Sequence, residues 1–67
     1  MSDDAVSAAV EQFIKKVSFA TQRELERFIR AAIANGKLQG NETFTAAVNV
    51  TSDKVGLMAT IYSKIEL

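Results

Sequence analysis

The hydrophobic residues of this chain change their spacing at Asn35-Gly36, and this change constrains the fold more than any other feature of the sequence. Before the dipeptide, apolar residues recur every three to four positions; from Phe44 to Leu67 they recur at every second position. The first spacing places apolar side chains along one stripe of a helix, and the second places them on one face of a strand. The sequence therefore predicts an α+β fold, with helices followed by strands.

Two helices are predicted in the first half of the chain, over about residues 4–17 and 22–35. Ser18-Phe19-Ala20 interrupts the helical spacing between them. The following Thr21-Gln22-Arg23-Glu24 matches a capping box, in which the first and last side chains accept hydrogen bonds from free N–H groups at a helix start. Gly36 is expected to end the second helix in a left-handed conformation. Asn35-Gly36 could also form a hairpin turn, but the residues before it have helical rather than alternating spacing.

Two strands, at about residues 43–51 and 54–66, are predicted to form an antiparallel hairpin. If Val50 lies opposite Val55, every apolar residue falls on one face, whereas a one-residue slip would place Thr and Lys there. In that register residues 64–67 extend beyond the first strand, and unpaired β-forming residues favour pairing with another strand. We expect both helices to pack on this hairpin, in the order α-α-β-β.

The 67 residues are sufficient for a single small domain, residues 1–67. Domains of this size commonly need disulfides, a metal or self-association for stability. The sequence contains no Cys and no His, so disulfides and the usual zinc ligands are excluded. We therefore predict a homodimer whose hairpins form a four-stranded sheet; a domain-swapped dimer is equally compatible. The predicted interface residues are Met58 and Tyr62 on the outer strand face, with Ile65 and Leu67 at the strand end.

No arrangement of residues in the sequence indicates catalysis. The eight acidic residues fall at predicted termini, caps, turns and polar helix faces, where water keeps them in their ordinary ionised state. There is no glycine-rich phosphate loop, no Ser/His/Asp set and no spacing typical of metal ligands. We expect no catalytic residue, no cofactor, no metal and no enzymatic activity.

Arg23, Arg27 and Arg30 lie opposite the apolar stripe of the second predicted helix and form the one candidate basic patch. Such a patch could bind nucleic acid or an acidic protein. However, Glu24 and Glu26 lie within helical reach of the arginines, and the formal net charge of the chain is zero. We therefore favour a solvated outer face, and nucleic-acid binding through the arginines is the alternative function.

The sequence also favours a cytoplasmic location without membrane association. Met1-Ser2-Asp3-Asp4 is acidic where a secretory signal would be basic. No apolar run approaches the roughly 20 residues that span a bilayer.

Several segments of the chain resemble a known family. They are Thr21-Gln22-Arg23-Glu24-Leu25-Glu26-Arg27, Ala31-Ala32, Gly36-Lys37-Leu38 and Ile65-Glu66-Leu67. The chain is similar, over nearly its whole length, to a family of very short bacterial proteins classed only as a domain of unknown function. The most specific part of this resemblance is the second predicted helix with its capping box, followed by Gly36-Lys37-Leu38. It implies a small cytoplasmic bacterial protein and assigns no functional residue. We expect a protein-interaction or structural module that acts as a homodimer, with another protein as a further partner.

Overall fold

The computed structural model describes residues 3–67, and the chain divides into two compact units. The first unit ends at Lys37 and contains one helix, α1, at Asp3–Ala34. The second unit, Leu38–Leu67, is a hairpin of strand β1 at Thr43–Ser52 and strand β2 at Leu57–Glu66. A helix followed by an antiparallel two-stranded sheet makes the protein α+β, as the change in hydrophobic spacing predicts.

The prediction of two helices, 4–17 and 22–35, is wrong, because α1 continues through residues 18–20. The hydroxyl of Ser18 donates to the carbonyl oxygen of Ile14 at 2.6 Å, so Ser18 lies within the helix. α1 contains no Gly or Pro, and each further residue adds a backbone hydrogen bond once a helix has formed. A capping box at Thr21 would give up those bonds, which explains why the helix continues through it.

The continuous helix carries apolar residues in one stripe with an 11-residue spacing: Val6 is followed by Val17 and Phe28, and Ile14 by Leu25. Eleven residues occupy three turns at about 3.67 residues per turn, close to the 3.6 of a straight helix. The stripe therefore keeps nearly one direction along the whole of α1. With a rise of about 1.5 Å per residue, the 32 residues of the helix extend about 48 Å.

The helix ends at Asn35-Gly36, as predicted. The N–H of Asn35 donates to the carbonyl oxygen of Ala31 at 3.0 Å, and the N–H of Lys37 donates to Asn35 Oδ1 at 3.1 Å. Gly36 has a φ of 85°, in the left-handed region that glycine adopts without a steric penalty. The dipeptide is thus a helix end rather than a hairpin turn.

The antiparallel pairing of β1 and β2 is confirmed, but the predicted register is wrong by four residues. Val50 lies opposite Ala59 instead of Val55. Residues 53–56 form the turn, in which the N–H of Gly56 donates to the carbonyl oxygen of Asp53 at 3.3 Å. Gly56 has a φ of 65°, which suits glycine at this position. The second strand therefore begins at Leu57 and not at residue 54, and Val55 is a turn residue with 76% of its surface exposed.

Because the register error is an even number of residues, the two faces of the hairpin are as predicted. The apolar face carries Phe44, Ala46, Val48, Val50, Leu57, Ala59, Ile61 and Ile65, together with Ser52 and Ser63. The opposite face, here called the threonine face, consists of Thr43, Thr45, Ala47, Asn49, Thr51, Met58, Thr60, Tyr62, Lys64 and Glu66.

Residues 64–67 do not extend beyond β1. Lys64 lies opposite Thr45, and the N–H of Leu67 donates to the carbonyl oxygen of Glu42 at 3.0 Å. The expectation that an unpaired end of β2 recruits a partner strand is therefore wrong.

Among residues 3–67 no side chain is buried, so neither unit contains a core of its own. The packing of the helical part on the hairpin, and the organisation as one domain, stay predictions.

Candidate interaction surfaces

Met58 and Tyr62 form an exposed pair on the threonine face of the hairpin. They lie four residues apart on β2, and 87% and 71% of their surfaces are exposed. Thr51 and Ala47, which lie opposite them, are much smaller residues. Met58 and Tyr62 are consequently the largest apolar groups on this face, and aromatic and Met side chains are typical anchors of protein interfaces.

The structure does not place all four predicted interface residues together. Ile65 lies on the apolar face of β2 and therefore points away from the threonine face, and Leu67 follows the end of β2. Ile65 lies opposite Phe44 and is half-buried, while Leu67 is 42% exposed. Only Met58 and Tyr62 can act as one surface patch.

The predicted basic patch is present on α1, but each of its arginines has a partner. Arg27 pairs with Glu24 at 2.7 Å, and Arg30 pairs with Glu26 at 3.3 Å. The guanidinium of Arg23 lies 5.8 Å from the ring centroid of Phe19, and that of Arg27 lies 4.9 Å from the ring centroid of Phe28. These are the helical contacts expected of a solvated outer face.

The carboxylate of Glu42 is a site that the sequence reasoning missed. It accepts hydrogen bonds from the N–H groups of Gln39 at 2.8 Å, Gly40 at 2.9 Å and Asn41 at 3.3 Å. These bonds, of which the one from Gln39 has the largest effect, hold the pKa of Glu42 below its usual value, against the opposing effect of partial burial. The signal in the sequence is an acidic residue directly after the Gly40-Asn41 break, where a side chain can cap its own loop.

The edge of β1 is a second surface that the sequence reasoning missed. Within residues 3–67 the sheet has two strands, so each strand is paired on one side only. No charged residue occurs in Thr43–Ser52, whereas β2 carries Lys64 and Glu66. Proteins commonly protect open strand edges with charged residues, Pro or bulges, and β1 has neither charge nor Pro.

The part of the chain that the structure describes contains no group of three or more acidic side chains placed to hold a metal ion. No helix in that part is long and apolar enough to cross a membrane.

These elements define a small α+β protein whose most distinctive surfaces are an apolar helix stripe, an exposed Met–Tyr pair and an uncharged strand edge. The chain belongs to a family of unknown function, DUF6494, whose family model matches residues 1–67. No curated protein and no solved structure matches the chain. The resemblance to a family without an assigned function is thereby confirmed.

Proposed function

We propose that this protein is a small interaction or structural module that acts as a homodimer. The observation that carries this proposal is that each unit has an apolar face with nothing in the same unit to cover it. In α1, Val10, Phe13 and Ile14 are 54%, 52% and 51% exposed. In the hairpin, Val48 and Ile61 on the apolar face are 45% and 60% exposed. Contiguous apolar surface of this kind is typical of proteins that associate.

The free energy gained by burying part of this apolar surface can be compared with the free-energy cost of association. Full burial of one Val, Ile or Phe side chain contributes about 1.5–3 kcal/mol. Association of two proteins costs about 4–15 kcal/mol in lost translational and rotational freedom. These side chains are already about half covered, so each contributes about half of that figure, and burial of several of them in each protomer is comparable in size to the cost.

We assign contact with a second protein to Met58 and Tyr62, the exposed pair on the threonine face. Both side chains can be covered without disturbing the apolar face, because the two faces of a strand are independent. The other members of their face are mainly hydroxyl and amide side chains, which suit the polar surroundings of an interface anchor.

We do not favour nucleic-acid binding through Arg23, Arg27 and Arg30. Affinity for nucleic acid comes largely from neutralising phosphates, and the acidic partners of Arg27 and Arg30 compete for that role. The chain also has no positive excess. Charge reversal of the three arginines tests the alternative: loss of retention on a nucleic-acid column, with helix content intact, would support it.

We further propose that the protein acts in the bacterial cytoplasm and has no enzymatic activity. The resemblance to short bacterial proteins supports the location. The absence of His and Cys from the sequence supports a role without catalysis.

The molar mass in solution tests the homodimer directly. Light scattering over a hundredfold concentration range is expected to give twice the 7.3 kDa chain mass at the upper concentrations. A monomer throughout that range would overturn the homodimer. Met58→Ala with Tyr62→Ala should leave the hairpin folded and abolish capture of a second protein, while Lys64→Ala on the same face serves as the control. Unchanged capture by the double variant would contradict the assignment of the contact.

A further inference from the structure

We infer that the edge of β1 pairs with the same edge of a second copy, whose strands and residues are marked with a prime. The two β1 strands run antiparallel with Ala47 opposite Ala47′, and the sheet has the order β2-β1-β1′-β2′. This inference rests on the proposed homodimer and specifies how it assembles. The occupant of the edge is a second copy of this chain because the edge is complementary to itself in backbone groups, side chains and charge.

The backbone groups that β1 offers at its free edge follow from one hydrogen bond. The N–H of Leu67 donates to the carbonyl oxygen of Glu42, so these two residues form a hydrogen-bonded pair. In an antiparallel ladder such pairs alternate with pairs that are not hydrogen-bonded. The even-numbered residues of β1 therefore direct their N–H and C=O groups to β2. The odd-numbered residues Thr43, Thr45, Ala47, Asn49 and Thr51 direct theirs to the free edge.

Pairing centred on Ala47 uses all of these outward groups. Thr43 then lies opposite Thr51′, Thr45 opposite Asn49′, and Ala47 opposite Ala47′. Because a hydrogen-bonded antiparallel pair makes two bonds, the five outward residues of each strand would form ten hydrogen bonds. Moving the centre to residue 46 or 48 leaves one outward residue of each strand without a partner and reduces the number to eight.

The side chains of β1 match in the same register. Thr43-Phe44-Thr45-Ala46-Ala47-Val48-Asn49-Val50-Thr51 has nearly the same pattern of polar and apolar residues in both directions. Phe44 would lie opposite Val50′ and Ala46 opposite Val48′, so the apolar faces of the two hairpins become one continuous surface. The smallest residues, Ala47 and Ala47′, meet at the centre of the threonine face.

The distribution of charge favours a closed dimer. Pairing of β1 with β1′ places no charged side chain opposite another, because β1 has none. It leaves β2 and β2′ as the outer strands, and these carry Lys64 and Glu66, which hinder the addition of further strands. The assembly would therefore stop at two copies rather than grow into a fibre.

Disulfide cross-linking tests the position of the centre. The natural sequence has no Cys, so Ala47→Cys introduces the sole thiol. Hydrogen-bonded antiparallel pairs have Cα atoms about 5.5 Å apart, within the range that a disulfide spans. Tyr62→Cys is the matched control on the same face. In the proposed sheet Tyr62 and Tyr62′ are three strand spacings apart, about 14 Å, and cannot be bridged. If the dimer formed through β2 instead, a centre at Tyr62 would cross-link this variant.

Charge substitution tests whether residue 45 of one copy lies opposite residue 49 of the other. Thr45→Lys with Asn49→Lys places two lysines opposite each other twice in the proposed dimer and should abolish dimerisation. Thr45→Lys with Asn49→Glu places opposite charges there and should restore it. Both variants lose the Thr60–Asn49 hydrogen bond, and both place a lysine opposite Lys64, so these two effects within the hairpin are the same in both variants.

The outcomes separate this inference from the homodimer itself. Cross-linking of Ala47→Cys but not Tyr62→Cys, together with loss and recovery of the dimer in the two charge variants, supports the β1 edge. A wild-type dimer that is unaffected by the paired lysines, or cross-linked only through Tyr62→Cys, overturns the β1 edge and leaves the homodimer standing. A wild-type monomer at every concentration overturns both.

Discussion

The hydroxyl of Thr60 donates to the side-chain oxygen of Asn49 across the hairpin at 2.9 Å. These residues lie directly opposite each other in the ladder. In the register expected from hydrophobic spacing alone, Asn49 would instead lie opposite Gly56, which has no side chain. The Thr60–Asn49 hydrogen bond is therefore specific to the register of the structure.

This relationship gives a direct test of the strand register by NMR. Hydrogen-bonded pairs alternate along the ladder with pairs that are not hydrogen-bonded, and Glu42–Leu67 is a hydrogen-bonded pair. Asn49 and Thr60, seven residues further along each strand, therefore form a pair without backbone hydrogen bonds between them. The Cα atoms of such pairs lie about 4.5 Å apart, and their α-protons are close. A strong nuclear Overhauser effect between the α-protons of Asn49 and Thr60 is expected. One between Asn49 and Gly56 would contradict the register.

The continuity of α1 predicts that a proline at residue 20 is strongly destabilising. Ala20→Pro removes a backbone hydrogen bond inside the helix and introduces a clash with the preceding turn, at a cost of about 3 kcal/mol or more. Ala8→Pro is the matched control, because residue 8 is helical whether there is one helix or two. Both variants should lose helical circular dichroism and melt at lower temperature. Near wild-type behaviour of Ala20→Pro alone would show a break at residues 18–20.

The hydrogen bonds to Glu42 predict acid sensitivity of the hairpin. The pKa of Glu42 is lowered in the folded state, so the ionised carboxylate stabilises the fold at pH values above its usual 4.5. That contribution is lost as the pH falls through 4.5 toward the lowered pKa. Glu42→Gln should therefore have a lower melting temperature at pH 7 and a smaller further decrease on acidification than the wild type.

The matched control for this prediction is Glu66→Gln, because the Glu66 side chain accepts no hydrogen bond from the described residues. It should retain the acid sensitivity of the wild type. A carbon-detected titration of the Glu42 carboxyl group that gave an ordinary pKa would show that the loop does not hold the carboxylate in solution.

The contacts of Arg27 predict a small effect on helix stability. Arg27→Ala removes the ion pair with Glu24, worth about 0.2–0.5 kcal/mol, and the contact with the Phe28 ring, worth about 0.5–1 kcal/mol at an exposed site. Arg27→Lys keeps the charge and should recover part of the loss. Thermal unfolding at low and high salt separates the two contacts, because only the ion pair is strongly screened. An equal loss in both variants at all salt concentrations would contradict this account.

Hydrophobic spacing was sufficient to predict the α+β class, the helix end at Gly36 and the side of the sheet on which each strand residue lies. These features depend on local period and on the conformational freedom of glycine. Spacing could not determine the strand register, because every shift by an even number of residues preserves both faces. The turn resolves that ambiguity: Gly56 adopts a left-handed conformation and places Val55 outside the strand.

The two-helix prediction failed for a different reason. A sequence such as Thr21-Gln22-Arg23-Glu24 can cap a helix, but the same residues are compatible with a helix interior. Whether the helix is interrupted at Thr21 depends on the backbone hydrogen bonds that are gained when the helix continues. A local sequence motif does not indicate how large that gain is. Of the proposed surfaces, Met58 and Tyr62 were identified from the sequence. The loop around Glu42 and the free edge of β1 required the backbone pairing.

The uninterrupted helix has a consequence for how the length of this chain can vary between related proteins. Inserting one residue into α1 would rotate everything after it by about 100° and move the second half of the apolar stripe away from the first. Inserting seven or eleven residues would nearly restore the stripe, since these lengths complete two or three turns almost in phase. Insertions and deletions among relatives should therefore be rare within the helix, or should occur in steps of about these sizes.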